Sequence, residues 1–177
     1  MGRPRSINRD KVLDIAERIV REEGATALTF DAVAKAAGVT KGGLQYCFGS
    51  KDDLVAAMAE RWVEGFDAEV ARHTPPDATL SQRARGYVTA SACIDEATQT
   101  KLAGMLVSLL QSPRHLDQAR RWYADWLKRL EPGSETERRA RAAFFAAEGA
   151  FFLRSLGLVE MDQDKWDGVF DDILSLL

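Results

Sequence analysis

Residues 29–54 read TFDAVAKAAGVTKGGLQYCFGSKDDL, and the spacing within this stretch decides the fold. Phe30, Val33, Ala34 and Ala37 recur at helical intervals, so a first short helix turns one apolar face inward. Gly38 follows where a left-handed residue is wanted, Val39 plugs the core, and Thr40 stands where the next helix needs a cap. Two short helices joined by a tight glycine-bearing turn make a helix-turn-helix, whose second helix is shaped to enter the major groove of DNA.

That second helix opens Thr40-Lys41-Gly42-Gly43, and two glycines in a first turn cost roughly 1 kcal/mol each relative to alanine. One compensation is closeness, because bare backbone and a thin helix start can sink deep into a groove. The plainer alternative is a loose helix that starts late. Lys41, Gln45 and Tyr46 surround the glycines with groups suited to bases and phosphates, which favours the first reading.

Outward from the motif, charge is unevenly spread. Residues 1–51 carry nine Lys/Arg and six Asp/Glu, net +3, whereas residues 52–177 carry fifteen and twenty-one, net −6. Only the amino-terminal part has the sign needed for phosphate contact. A chain of 177 residues, 46% hydrophobic and 29% charged, has the length and composition for one or two small domains with a core. Its apolar runs fall short of the roughly 20 residues of a membrane span. Residues 1–5, MGRPR, lack the apolar stretch of a secretion signal, so a cytoplasmic protein away from membranes is expected.

Everything else reads as helix between short turn signals, which makes the chain all-α. Helices are expected over 8–23, stopped by Gly24, and over 51–73, capped by Ser50 with Asp53 where a capping-box acid reaches back. Further helices follow over 80–96, opened by a Thr79/Gln82 capping box, and over 98–111, 113–130, 134–156 with a Ser134/Glu137 box, and 164–176. Thr74-Pro75-Pro76-Asp77 is the clearest interruption, and the long 51–73 helix ties the two sides of the chain together.

The motif with its flanks resembles the DNA-binding domain of the TetR family of bacterial transcriptional regulators. The resemblance covers about the first 55 residues and rests on Glu22-Glu23-Gly24, Leu28 to Ala34, Ala37 to Leu44 and Tyr46 to Leu54. It implies a three-helix DNA-binding domain over 1–50, joined by the connecting helix to a helical ligand-binding and dimerisation domain within 51–177. It also assigns base-edge or close backbone contact to Lys41, Gly42, Gly43 and Gln45, and phosphate contact to Thr29, Thr40, Tyr46 and Lys51. Leu44 and Phe48 belong to the packed side. Cys47 and Gln45 depart from the family pattern and bear on which operator is read. Cys47 is either an oxidisable thiol beside the DNA or a small apolar filler. Arg3 and Arg5 form either a minor-groove arm or a solubilising end.

From residue 142 to 153 one helix is apolar nearly all the way round, which a single core face does not explain. One side is expected to meet the chain's own core and the other a second subunit, through Phe145, Gly149 and Phe152. The last helix repeats the signal with Trp166, Phe170 and Ile173, giving an intersubunit four-helix bundle that the resemblance also implies. A homodimer of this kind would place two recognition helices on a near-palindromic, double-stranded operator.

Aromatic and sulfur-bearing residues gather in the second part of the chain. Trp62, Phe66, Tyr87 and Met105 are candidates for a ligand cavity, as are Leu106, Leu109, Trp122 and Trp126. Such a cavity suits a lipophilic or aromatic inducer, and Glu148, isolated among apolar residues, could anchor a cation or a partner's arginine. Cys47, Cys93, His73 and His115 offer no paired spacing for a metal, and there is no phosphate loop or nucleophile elbow, so neither catalysis nor a cofactor is expected. The sequence therefore reads as a dimeric, ligand-responsive repressor. The alternative is a constitutive DNA-binding or adaptor protein that ignores small molecules.

Overall fold

Asn8 starts the first helix by accepting the Lys11 backbone N–H at 3.0 Å, and α1 runs Arg9–Glu23 until Gly24, at φ 84°, ends it. The computed structural model describes residues 7–95, 98–99, 102, 112–130 and 133–177, and among these there is no strand. A short 3-10 turn over Ala25–Ala27 leads to α2, Phe30–Ala37, capped by the Thr29 hydroxyl. Gly38 sits in the left-handed region at φ 65°, as the turn requires, and α3 follows over Lys41–Phe48 with Thr40 as its cap. Val12, Ala16, Ile19, Val33, Leu44 and Phe48 close a common core with Leu54 and Met58 of α4, Lys51–Arg72.

The cap of α4 differs from the expected box. Ser50 Oγ does accept the Asp53 backbone N–H at 3.1 Å, but the Asp53 carboxylate takes the Ser50 hydroxyl at 2.6 Å instead of its backbone N–H. Its other oxygen accepts Arg114 at 2.8 Å, a competitor from 61 residues away that local sequence does not reveal.

Helix α5 covers Leu80–Ala92, with the Thr79/Gln82 box in place, and stops short of the expected 96. The cause is Asp95, whose side chain accepts the Thr98 N–H at 2.7 Å and whose carbonyl accepts that of Gln99 at 2.9 Å, so a new helical turn begins there. Most of the expected 98–111 helix, including Met105, Leu106 and Leu109, lies outside the described residues, as do Arg3 and Arg5. Three more helices agree with expectation to within a residue: α6, Pro113–Arg129, with proline in its first turn; α7, Glu135–Ser155, opened by the Ser134/Glu137 box; and α8, Gln163–Ser175, capped by Asp162.

Helix α5 packs against α4, α7 and α8 and forms the centre of the carboxy-terminal part. The amino-terminal helices are pinned to α4 by Arg61, which donates to Glu17 at 3.0 Å and to Asp14 at 2.8 Å. Burial works against the Arg61 charge, but the two carboxylates outweigh it and hold its pKa above the ordinary value. Helix α6 grips the start of α4 as well: besides the Arg114–Asp53 pair, His115 Nε2 donates to the Asp52 carbonyl at 3.0 Å. Among the described residues, no helix is long and apolar enough to cross a membrane.

Candidate nucleic-acid interface and ligand cavity

Helix α3 turns Leu44 and Phe48 into the core and leaves Lys41, Gly42, Gln45 and Tyr46 exposed. Tyr46 is 95% exposed, so nothing in its own chain explains a large aromatic residue there. The Thr29 and Thr40 hydroxyls accept the N–H groups of Ala32 and Gly43 at 3.1 and 3.0 Å, and each still has a hydrogen to donate to a phosphate. Lys51 is exposed in the first turn of α4. Lys41 is paired with Asp31 at 3.0 Å, which holds its ammonium beside α2.

The two glycines have different reasons to be small. A Cβ on Gly42 would meet nothing within 4 Å, whereas one on Gly43 would come within 2.9 Å of Ile7 Cδ1 and 3.1 Å of Thr40 Oγ1. Gly43 is thus tight against its own chain, and Gly42 is the position left bare toward the outside. Cys47 is half-buried against the core, the surroundings of an apolar filler. Arg9 lies 4.4 Å over the Phe48 ring and donates to the Cys47 carbonyl at 3.0 Å, tying the start of α1 to the end of α3.

Behind the connecting helix is a cavity of about 190 Å³ between α4, α6 and α7. Trp62, Trp122, Tyr123, Phe151 and Phe152 form much of its wall, with His115 and Gln118 as polar members and Leu102 also in the lining. Of the expected ligand residues, Trp62 and Trp122 face this space. Phe66, Tyr87 and Trp126 do not: they are buried in an aromatic cluster with Phe144. Trp126 borders a separate surface groove of about 400 Å³ with Asp67, Thr74, Pro75 and Arg83. Tyr123, His115 and Gln118 were missed, although His115, Gln118, Ala119, Trp122 and Tyr123 form one stripe at helical spacing along α6.

Glu148 lies beside this wall and is not isolated. Its carboxylate accepts hydrogen bonds from both Tyr87 and Tyr123 hydroxyls. Burial raises the Glu148 pKa while the two phenols work to lower it; burial and the neighbouring charge push both tyrosine pKa values well above the ordinary value. The phenols therefore keep their protons and act as donors.

The apolar α7 has the two sides expected of it in part. Ala143, Phe144, Ala147, Ala150 and Phe151 are buried, while Phe145 and Leu153 are exposed at 55% and 41%. Gly149 and Phe152 are half-buried, and Phe152 also lines the cavity. On α8 the expectation needs correcting. Trp166, Phe170 and Ile173 fill the chain's own core, with the Trp166 indole donating to the Ala92 carbonyl at 2.9 Å, so a seam on α8 has to use other side chains. Helical periodicity located an apolar face but not the neighbour covering it.

Folding also gathers a donor set that sequence spacing did not suggest. Glu69, His73 and Cys93 bring ligand atoms within 4.8 Å of one another, with the Glu69 carboxylate accepting from His73 at 2.9 Å. All three are at least partly exposed on the surface.

Residues 12–58 match the model for bacterial regulatory proteins of the tetR family, and residues 81–177 match the tetracyclin repressor-like C-terminal domain. An uncharacterized HTH-type transcriptional regulator in the dhlA 5' region of Xanthobacter autotrophicus is 32% identical over 84 residues, covering 48% of this chain and 42% of its own length. The HTH-type transcriptional regulator BetI of Rhizobium meliloti (strain 1021) is 23% identical over 161 residues, which is 85% of this chain and 79% of that one. In three dimensions, a transcriptional regulator from Saccharomonospora viridis in complex with choline superposes with a TM-score of 0.72 at 17% identity, over 94% of this chain and 95% of the other.

Proposed function

Because the chain belongs to the TetR family of transcriptional regulators, we propose that it is a repressor that binds a near-palindromic operator as a homodimer and is released by a small lipophilic or aromatic inducer. Residues 1–50 form the DNA-binding domain in this reading, residues 51–177 the connecting helix with the ligand-binding and dimerisation domain, and the protein works in the cytoplasm. The exposed outer face of α3 carries the proposal: Lys41, Gln45 and Tyr46 project where a duplex would lie, around an open Gly42.

Lys41 and Gln45 would read base edges, Gly42 would admit close backbone approach, and Thr29, Thr40, Tyr46 and Lys51 would hold phosphates. Gly43 would keep the helix start thin, and Arg3 and Arg5 would reach into the adjacent minor groove. The cavity beside α4 supports the ligand part, since α4 begins next to the DNA-binding helices and its Trp62 lines the cavity wall. An inducer that favours a different α4 position would separate the recognition helices wrongly for successive grooves. Phe145 and Leu153 supply apolar surface for a seam between subunits.

Selection of bound sequences from a random DNA pool tests the first half. A near-palindromic site whose preferences relax on Lys41→Ala or Gln45→Ala supports the reading, and a profile unchanged by both removes it. Screening for compounds that release that operator tests the second half, and a screen in which none does favours the constitutive binder.

A further inference from the structure

We propose that the cavity between α4, α6 and α7 takes a compact lipophilic cation, held against the Trp62 and Trp122 rings, with the Glu148 carboxylate behind Tyr123 as its countercharge. The inference rests on the reading of the chain as ligand-responsive and names the class of ligand.

Glu148 is a carboxylate lacking an opposite charge among the described residues. It accepts a hydrogen bond from a phenol on each carboxylate oxygen; burial holds its pKa above the ordinary value, and the two phenols work against that rise and favour the ionised form. Among the described residues, no basic side chain forms an ion pair with it. A half-buried carboxylate with hydrogen bonds but no ion-pair partner among the described residues has charge left for a bound cation to meet. Tyr123 connects this charge to the cavity, since its hydroxyl binds Glu148 and its ring is part of the wall. Phe151 and Phe152, one turn further along α7, lie on the same side of the helix as Glu148 and line the same space.

The wall itself favours a cation over a neutral oil. Trp62 and Trp122 are part of that wall, and indole rings attract positive charge over their faces, most strongly away from water. At about 190 Å³ the space is below the roughly 300–1,000 Å³ of drug-sized sites, so the ligand is compact.

The test compares 3-phenylpropylammonium with 3-phenylpropanol, near-isosteres that differ in charge, on the unaltered full-length chain by calorimetry and tryptophan fluorescence. The expected result is binding of the ammonium ion at least about tenfold tighter than the alcohol, falling to within about threefold in Glu148→Gln, which keeps the side chain's shape and removes its charge. Equal affinities in the unaltered protein overturn the inference without needing any variant. A preference for the ammonium ion that persists in Glu148→Gln overturns the role of Glu148. If neither probe binds but neutral lipophilic compounds release the operator, the cation assignment fails and ligand response stands. If no compound of either kind releases it, ligand response itself fails.

Discussion

Arg114 donates from Nη1 to Asp53 Oδ1 at 2.8 Å, tying the first turn of α6 to the first turn of α4. One residue further along α6, His115 both lines the cavity and donates to the carbonyl of Asp52. The cavity wall and the helix that leaves the DNA-binding domain therefore share a short rigid link. The Ser50 hydroxyl first, and Arg114 next, hold the Asp53 carboxyl below its ordinary pKa. A depressed carboxyl contributes stability that is present above its unfolded pKa and lost as pH falls through the depressed value. Arg114→Ala is expected to raise the Asp53 pKa part of the way, because Ser50 remains, and to lower the melting temperature slightly at neutral pH. That difference should vanish in acid below the ordinary carboxylate range. Carbon-detected titration of Asp53 and melting curves across pH check both.

Lys41 reaches Asp31 at 3.0 Å, so the carboxylate of α2 competes with DNA for the same ammonium group. Asp31→Asn is expected to strengthen binding to all sequences at low salt, and the gain should fade as salt screens it. Lys41→Ala should instead relax base preference by roughly 1–3 kcal/mol at one position of each half-site, whereas Lys51→Ala should weaken all sites and reduce the salt slope by about 1. Fluorescence anisotropy with operator and scrambled duplexes at several salt concentrations separates these outcomes.

Gly42 and Gly43 should respond differently to alanine. Gly42→Ala places a methyl group in open space within a helix, where alanine is favoured by roughly 0.8–1.0 kcal/mol, so the free protein should gain stability while operator affinity falls. Gly43→Ala presses on Ile7 and on the capping hydroxyl of Thr40, so it should lose part of that gain. Denaturant unfolding and operator titration of the two variants decide whether the bare backbone serves DNA.

The parts of the fold legible in the sequence are those set by neighbours a few residues away. Thr79 with Gln82, and Ser134 with Glu137, form their capping boxes because each pair lies within one helical turn. Asp53 sits at the same spacing, yet its carboxylate is shared between the Ser50 hydroxyl and Arg114, which lies far along the chain. Tyr87, Tyr123 and Glu148 meet across separations of 61 and 25 residues, beyond the reach of any local pattern. Trp166 and Phe145 show the remaining limit: both lie on apolar helix faces, but only packing determines that the first is enclosed and the second exposed.

Gly86 of α5 lies against the residues that follow α4. A Cβ there would run into Thr74 Oγ1 and come within 3.2 Å of the His73 backbone oxygen. Thr74 has little room to yield, because its hydroxyl donates to the Val70 carbonyl at 2.7 Å. Gly86→Ala is expected to cost about 1–3 kcal/mol by overpacking, outweighing alanine's better helix propensity. Thermal and urea unfolding measure it, and a variant at least as stable as the parent would show that this helix contact is looser than the geometry implies.

Phe145 and Phe170 separate assembly from folding. Phe145 is 55% exposed, so Phe145→Glu leaves the chain's own core intact, whereas Phe170 is 1% exposed against Trp166. If α7 provides the seam, Phe145→Glu should convert a dimer into a folded monomer with an almost unchanged helical spectrum, because an unpaired carboxylate in an apolar seam is costly. It should also weaken operator binding steeply, since one recognition helix alone loses the second half-site. Phe170→Glu should lower stability by about 4 kcal/mol or more, with or without a partner subunit. Sedimentation together with circular dichroism distinguishes them. A Phe145→Glu protein that remains dimeric at low micromolar concentration would place the seam elsewhere.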